Sequence, residues 1–250
     1  MITIKVADAE RGIAWLTEGF DFFKRNIGVW IGVSVIFLIF YIILSAIPVI
    51  GGLLLALLTP VFLGGLMLGC RDLDQGKALA LNHLFAGFSG NTGQLILLGL
   101  LNYVGMILIM VISMIIVMPF LGGMEFMTQF MHTMEHGDIA MAPDMFIGVL
   151  LVMLVGMLFY LPLIMALWFA PVLIVVDRQN AIDALVNSFK GCLKNILPFL
   201  LYGLLGLVLA IVASIPLMLG WLVLFPMIVA SIYLGYKDIF KEEEESAIAG

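Results

Sequence analysis

Two histidines, two glutamates and six of the chain's 17 methionines fall within one stretch, GGMEFMTQFMHTMEHGDIAMAPDMF, Gly122–Phe146. Thioethers suit Cu(I), and imidazoles suit copper, zinc or nickel. His132 and His136 stand four residues apart, so on a helix their rings converge, and Glu125 lies two turns earlier on the same face. Those three groups could hold Zn²⁺ or Cu²⁺, with Asp138 and Asp144 as further carboxylates nearby in the chain. A helical wheel separates the two residue types. Met124, Phe126, Met127, Phe130, Met131 and Met134 fill one arc, whereas Glu125, Thr128, Gln129, His132, Thr133, Glu135 and His136 fill the other. That division is what an interfacial helix needs, its methionines dipped into the acyl boundary and Gly137 ending it. We read the stretch as a periplasmic interfacial helix that calls for no cofactor. Glu125, His132 and His136 stay as a residual metal set on its wet side.

Little else in the chain could do chemistry. His83 sits in LNHLFAGF with no sequence neighbour to complete a nucleophilic constellation, so it reads as a headgroup-level residue. Cys70 and Cys192 are too few for a metal motif and read as packing residues. There is no phosphate-binding loop, dinucleotide fingerprint or nucleic-acid motif, which points away from an enzyme and from nucleic acid. Lys24, Arg25, Arg71, Lys190 and Lys194 lie next to apolar runs, where they could meet anionic lipid headgroups at about 1 kcal/mol each.

The elements that would position these residues are apolar helices. Hydrophobic residues make up 64% of the chain and charged residues 11%, against about 45–50% and about 25% in a soluble domain. Six spans are expected at 27–46, 49–70, 93–118, 145–176, 196–215 and 217–235, none containing Asp, Glu, Lys, Arg or His. Backbone groups in lipid must be satisfied within the segment, so the fold class is all-α, a polytopic bundle of six transmembrane helices. The fourth span is too long for the hydrocarbon core and is expected to tilt or break, with Pro162 and Pro171 available. All 11 Lys and Arg residues fall on one side of this topology, which puts both termini in the cytoplasm. The lack of intramembrane ionisable groups argues against a proton relay or voltage sensor. Asn102 is the polar side chain within the spans that is costliest to leave unpaired, and it is the candidate marker of a cavity. Gly64, Gly65, Gly99, Gly105, Gly203 and Gly206 are expected to allow close helix approach.

Internal repetition sets the organisation. IAWLTEGFDFFKRNI (Ile13–Ile27) matches IDALVNSFKGCLKNI (Ile182–Ile196) at Ile13, Leu16, Phe20, Asn26 and Ile27, and LNHLFAGF supplies a shorter copy at Leu81, Leu84 and Phe88. PVFLGGLMLGCRDL (Pro60–Leu73) likewise matches PMIVASIYLGYKDI (Pro226–Ile239). The expectation is one membrane domain, 1–240, of three parallel repeats (11–74, 79–178 and 181–240). Each would be an interfacial amphipathic helix followed by a transmembrane hairpin. A periplasmic insertion occupies 119–144, and 241–250 is an acidic, disordered tail.

WLTEGFDFFKRNIGVW, TPVFLGGLMLGCRDLDQGK and LNHLFAGF resemble a family of uncharacterised proteobacterial inner-membrane proteins. They are more distantly similar to YciC-type proteins and to the membrane domain of some bacterial glycerophosphodiester phosphodiesterases. The resemblance implies a six-helix bundle with amphipathic helices at the cytoplasmic face and no established activity; the phosphodiesterase catalytic domain has no counterpart here. The expected function is a non-enzymatic integral protein of the bacterial inner membrane, a scaffold or lipid-interacting accessory factor. It would contact membrane lipids and an unidentified membrane-protein partner. The alternatives are a small transporter or lipid-translocating protein with a cavity between repeats, and a periplasm-facing metal-handling protein.

Overall fold

The computed structural model describes residues 3–121, 123, 125, 128, 131, 132, 135 and 143–241, and every regular element among the described residues is helical. In chain order they are α1 (Arg11–Arg25), α2 (Ile27–Ser45), α3 (Ile50–Asp74), a 3₁₀ helix (Leu81–Phe88), α4 (Thr92–Val117), a second short 3₁₀ turn (Met118–Leu121), α5 (Pro143–Trp168), α6 (Ala170–Val176), α7 (Ala181–Lys194), α8 (Ile196–Ser214) and α9 (Trp221–Phe240). Six helices, with α5 and α6 read as one run, are long and apolar enough to cross a membrane, and they coincide with the six expected spans to within a few residues. The last span begins later than expected because Leu217 and Met218 take left-handed φ values of 50° and 63° and form the turn before α9.

The over-long fourth run is broken, at Phe169 and not at either proline: Pro162 lies inside α5, and Pro171 sits in the first turn of α6, where its missing N–H costs nothing. Ser188 on α7 repairs the break. Its hydroxyl accepts from the Phe169 N–H at 2.9 Å and donates to the Met165 carbonyl at 2.7 Å, satisfying two backbone groups that the interrupted ladder leaves open. Asn180 starts α7 by accepting from the Asp183 N–H at 2.9 Å, with Asp183 itself in the first turn. LNHLFAGF, expected as an amphipathic helix, winds as a 3₁₀ helix. It lies so close to α3 that a Cβ on Gly87 would strike the Val61 carbonyl, and one on Gly65 the His83 carbonyl.

The chain divides into two compact units, residues 1–101 with 165–250, and residues 102–164. In the first, the core joins Trp15 and Leu16 of α1, Trp30 of α2, Leu66 and Met67 of α3, Leu173 of α6 and Tyr236 of α9, each at most 1% exposed. Helix α1 lies against α8 and α9, and Gly12 sits so near α8 that any Cβ would collide with the Pro198 carbonyl. In the second unit Gly105 receives Leu163, and Ser113 returns its hydroxyl to the Ile109 carbonyl at 2.7 Å. Gly203 and Gly206 depart from expectation: nothing lies within 4 Å of a Cβ at either, so they contribute no close approach. They share α8 with Leu197, Leu200, Leu204 and Leu207, all at least 60% exposed, an apolar surface that water would not tolerate but acyl chains would.

Candidate functional site

The five basic residues considered for headgroup contact separate into two groups. Lys24, Arg25, Lys190 and Lys194 are exposed on α1 and α7. Lys24 pairs with Asp21 at 2.6 Å and covers the Phe20 ring, and Arg25 covers the Phe22 ring at 4.7 Å, so both cations lie along aromatic surface. Arg71 is different. It stands at the end of α3 between two cavities, of about 1020 Å³ and about 430 Å³, and lines both.

The larger cavity is a cleft between the extended N-terminal segment and the ends of α3, α6 and α9. Lys5, Arg11, Arg71, Lys237 and Lys241 contribute cations to its lining, and Asp8, Asp74 and Asp238 contribute carboxylates. Most of these charges are spent on structure. Asp238 accepts from Arg11 Nε at 2.6 Å and from Trp15 Nε1 at 2.7 Å, tying α9 to α1. Arg11 also reaches Glu18 at 2.7 Å. Burial alone would lower the guanidinium's proton affinity, but the hydrogen bonds to Asp238 and Glu18 more than reverse this and raise it above its ordinary value, so Arg11 stays charged. Asp74 at the end of α3 accepts from Lys237 at 2.7 Å and Tyr233 at 3.2 Å. Asp177 accepts from Tyr236 at 2.8 Å and from Lys241. Arg71 and Lys5 are left over. Arg71 meets only Asp72, at 3.5 Å, and its Nε is buried with no hydrogen-bond partner among the described residues. Lys5 has no ion pair among the described residues.

Four side-chain amides hold the segments around this end. Asn26, just before α2, donates to the Leu79 carbonyl at 3.3 Å. Asn91, just before α4, donates to the Ile174 carbonyl at 2.7 Å, and Gln94 accepts from the Ala181 N–H at 2.8 Å. Asn195, just before α8 and fully buried, accepts from the Ala7 N–H at 2.7 Å and donates to the Lys5 carbonyl at 3.0 Å. The N-terminal segment, which forms one wall of the cleft, is further fixed by the Lys5 N–H donating to the Ile239 carbonyl at 2.9 Å.

His83 does acquire a carboxylate, contrary to expectation. Its Nδ1 lies 3.0 Å from the Ala80 N–H and 3.1 Å from the Ala80 carbonyl, and its Nε2 lies 3.4 Å from an Asp72 carboxylate oxygen, to which it donates. The pair comes from two elements, α3 and the 3₁₀ helix, so adjacency in sequence could not reveal it. No nucleophile accompanies it in the smaller cavity, whose lining also includes Asn82, Phe85 and Ser89; the Ser89 hydroxyl has no base in hydrogen-bond contact among the described residues. Cys70 and Cys192 are free and buried. Burial pushes the Cys192 thiol up to about 12, only partly offset by Ser188, as suits a packing residue.

Among the described residues, none of the remaining sequence candidates lines the cleft. Asn102 is half-buried on α4 and lines neither cavity. Glu125 and His132 are exposed, and His136 lies outside the described residues, as do most of the methionines of that stretch. Among the described residues no group of three or more metal-ligating side chains comes together. Lys5, Arg11, Trp15, Asp74, Asp177 and Asp238 were missed as members of one site. The signal for the aspartates was the recurrence of a basic residue and an aspartate after the second, fourth and sixth spans; Lys5, Arg11 and Trp15, before the first span, carried none.

Over nearly its whole length the chain is similar to a curated protein of Burkholderia thailandensis described as a probable inner membrane protein: the two are 28% identical over 96% of this chain and 94% of the relative. No family model matches the chain, and no solved structure does. Together with the six membrane-capable helices, this likeness makes the chain an integral membrane protein.

Proposed function

We propose that this is a non-enzymatic protein of the bacterial inner membrane, a membrane-embedded scaffold or lipid-interacting accessory factor with both termini in the cytoplasm. The observation that carries the reading is how the polar groups at its basic end are used. Arg11, Trp15, Lys237, Tyr233 and Tyr236 are committed to Asp238, Asp74 and Asp177 and bind helix ends to one another. Outside that end, α2 and α8 each expose apolar side chains to acyl chains, among them Ile42, Ile43, Leu197 and Leu204. Lys24 and Arg25 beside Phe20 and Phe22, with Lys190 and Lys194 on α7, suit contact with anionic headgroups. The relative's description favours the inner membrane, and the location of all Lys and Arg residues favours a cytoplasmic basic end.

Three parallel repeats are the architecture we assign. The amide clasps run in a circuit: Asn26 holds the segment entering the 3₁₀ helix, Asn91 holds α6 and Gln94 the start of α7, and Asn195 holds the segment entering α1. In the register that aligns LNHLFAGF with Ile13–Phe20, His83 takes the place of Trp15, and each ring N–H reaches an aspartate at a matching helix end, Asp72 and Asp238. The likeness to YciC-type proteins and to the phosphodiesterase membrane domain rests on sequence stretches and adds no activity. Crosslinking in cells, purification in mild detergent and reconstitution into liposomes test the reading together. A captured protein partner or retained lipid, with no movement of lipid or solute across the liposome, is expected. Transport by the reconstituted protein with no partner captured would sink the scaffold and favour the transporter.

A further inference from the structure

We propose that the cleft between the N-terminal segment and the ends of α3 and α9 is an anion site for a phosphate group, held by Arg71 from α3 and Lys5 from the N-terminal segment. The cleft has about 1020 Å³, ample for a phosphate and what it is attached to. Its other cations are already engaged: Arg11 by Asp238 and Glu18, Lys237 by Asp74, Lys241 by Asp177. Among the described residues Lys5 has no ion pair, and Arg71 has only the 3.5 Å contact with Asp72, a carboxylate that Lys77 and His83 also approach. The planar fork of the partly exposed Arg71 guanidinium suits a phosphate oxygen. Arg71 closely follows the apolar run of α3, which ends at Cys70, so it lies at the depth of lipid headgroups if the helix spans the bilayer.

The second cation is placed by backbone geometry. The Lys5 N–H bonds to Ile239, its carbonyl is held by Asn195, and the Asn195 side chain also takes the Ala7 N–H. Asn195 is therefore a positioning residue for this wall of the cleft. Either the headgroup of an anionic phospholipid or a free phosphorylated solute would supply the same group. The site deepens the lipid-interacting reading and rests on it only for the choice between those sources.

The test uses the full-length protein in a neutral detergent, titrated calorimetrically with inorganic phosphate, glycerol 3-phosphate and dihexanoyl phosphatidylglycerol, with acetate as a competitor. At least one phosphate probe is expected to bind. Binding of the solutes alone marks a soluble ligand, and binding of the lipid alone marks a headgroup. Arg71→Gln is expected to weaken that binding about tenfold, the loss of one charge-assisted hydrogen bond. Lys5→Gln, which removes only a half-buried side chain and keeps the backbone bonds, is expected to weaken it several-fold and serves if the Arg71 variant does not fold. Arg178→Gln, at an exposed cation that lines neither cavity, is expected to leave it unchanged. The proposal is overturned if no phosphate probe binds, if acetate competes equally, or if Arg178→Gln matters as much as the cleft variants. Loss of lipid contact elsewhere on the protein would not register in the solute titrations, so failure of the cleft and failure of the lipid-interacting reading are told apart.

Discussion

Replacing Asp238 with alanine tests how firmly α9 is locked to α1. The carboxylate accepts from Trp15 Nε1 at 2.7 Å and Arg11 Nε at 2.6 Å. Trp15 is 1% exposed, so its indole N–H would be left buried without a partner, at about 1–3 kcal/mol. The Arg11 side chain is 35% exposed and can turn to Glu18 or to water, so its share is discounted to at most about 1 kcal/mol. Asp238→Ala should therefore cost about 1–4 kcal/mol, while Asp238→Asn, which keeps an acceptor for the indole, should cost about 1 kcal/mol or less. Reversible unfolding in mixed micelles, titrated with a denaturing detergent, measures both. A double-mutant cycle with Trp15→Phe isolates the buried bond, because alanine at 238 should add little once the indole N–H is gone. Equal losses for Asn and Ala, or full additivity in the cycle, would refute the reasoning.

Gly12→Ala should destabilise by about 1–3 kcal/mol or more, because its Cβ has no room beside the Pro198 carbonyl, whereas Gly203→Ala, facing open space, should be neutral or stabilising by about 0.5–1 kcal/mol in the same assay. Cys192 and Cys70 should resist alkylation in the folded protein at mildly alkaline pH and react quickly once it is unfolded, read by mass shift. The sign for Cys192 follows from its raised thiol. The unfolded thiol ionises near about 8.5 while the folded one holds its proton to about 12, so its contribution to stability is complete below the first value and is lost as pH rises through the second. The joint variant His132→Ala, His136→Ala should leave the zinc and copper content of the purified protein unchanged; loss of a bound equivalent would favour the metal-handling alternative.

Hydropathy sufficed to locate the six spans, because twenty apolar residues in a row have few other uses. It could not locate their ends, which turns and caps decide: left-handed Leu217 and Met218 shorten the last run, and Ser188, distant in sequence, stabilises the break at Phe169. The match of Asn26 with Asn195 marked two positions where an amide clasps a neighbouring segment. Asn91, just before α4, and Gln94, in its first turn, do the same but carried no such mark because the middle copy is short. The basic residues were visible one by one, but which are committed and which are not depends on partners more than 150 residues away, as with Lys237 and Asp74. Spacing along one helix therefore drew attention to His132 and His136, whereas the larger constellation is assembled from helix ends that no local pattern joins.

Mass spectrometry of the complex extracted natively from the membrane tests the central claim most directly, since it weighs protein, lipid and metal together. The expected spectrum shows the chain retaining anionic phospholipid or a second membrane protein, with no stoichiometric metal. A lone chain that sheds all lipid on gentle activation, or one that carries an equivalent of zinc or copper, would contradict it.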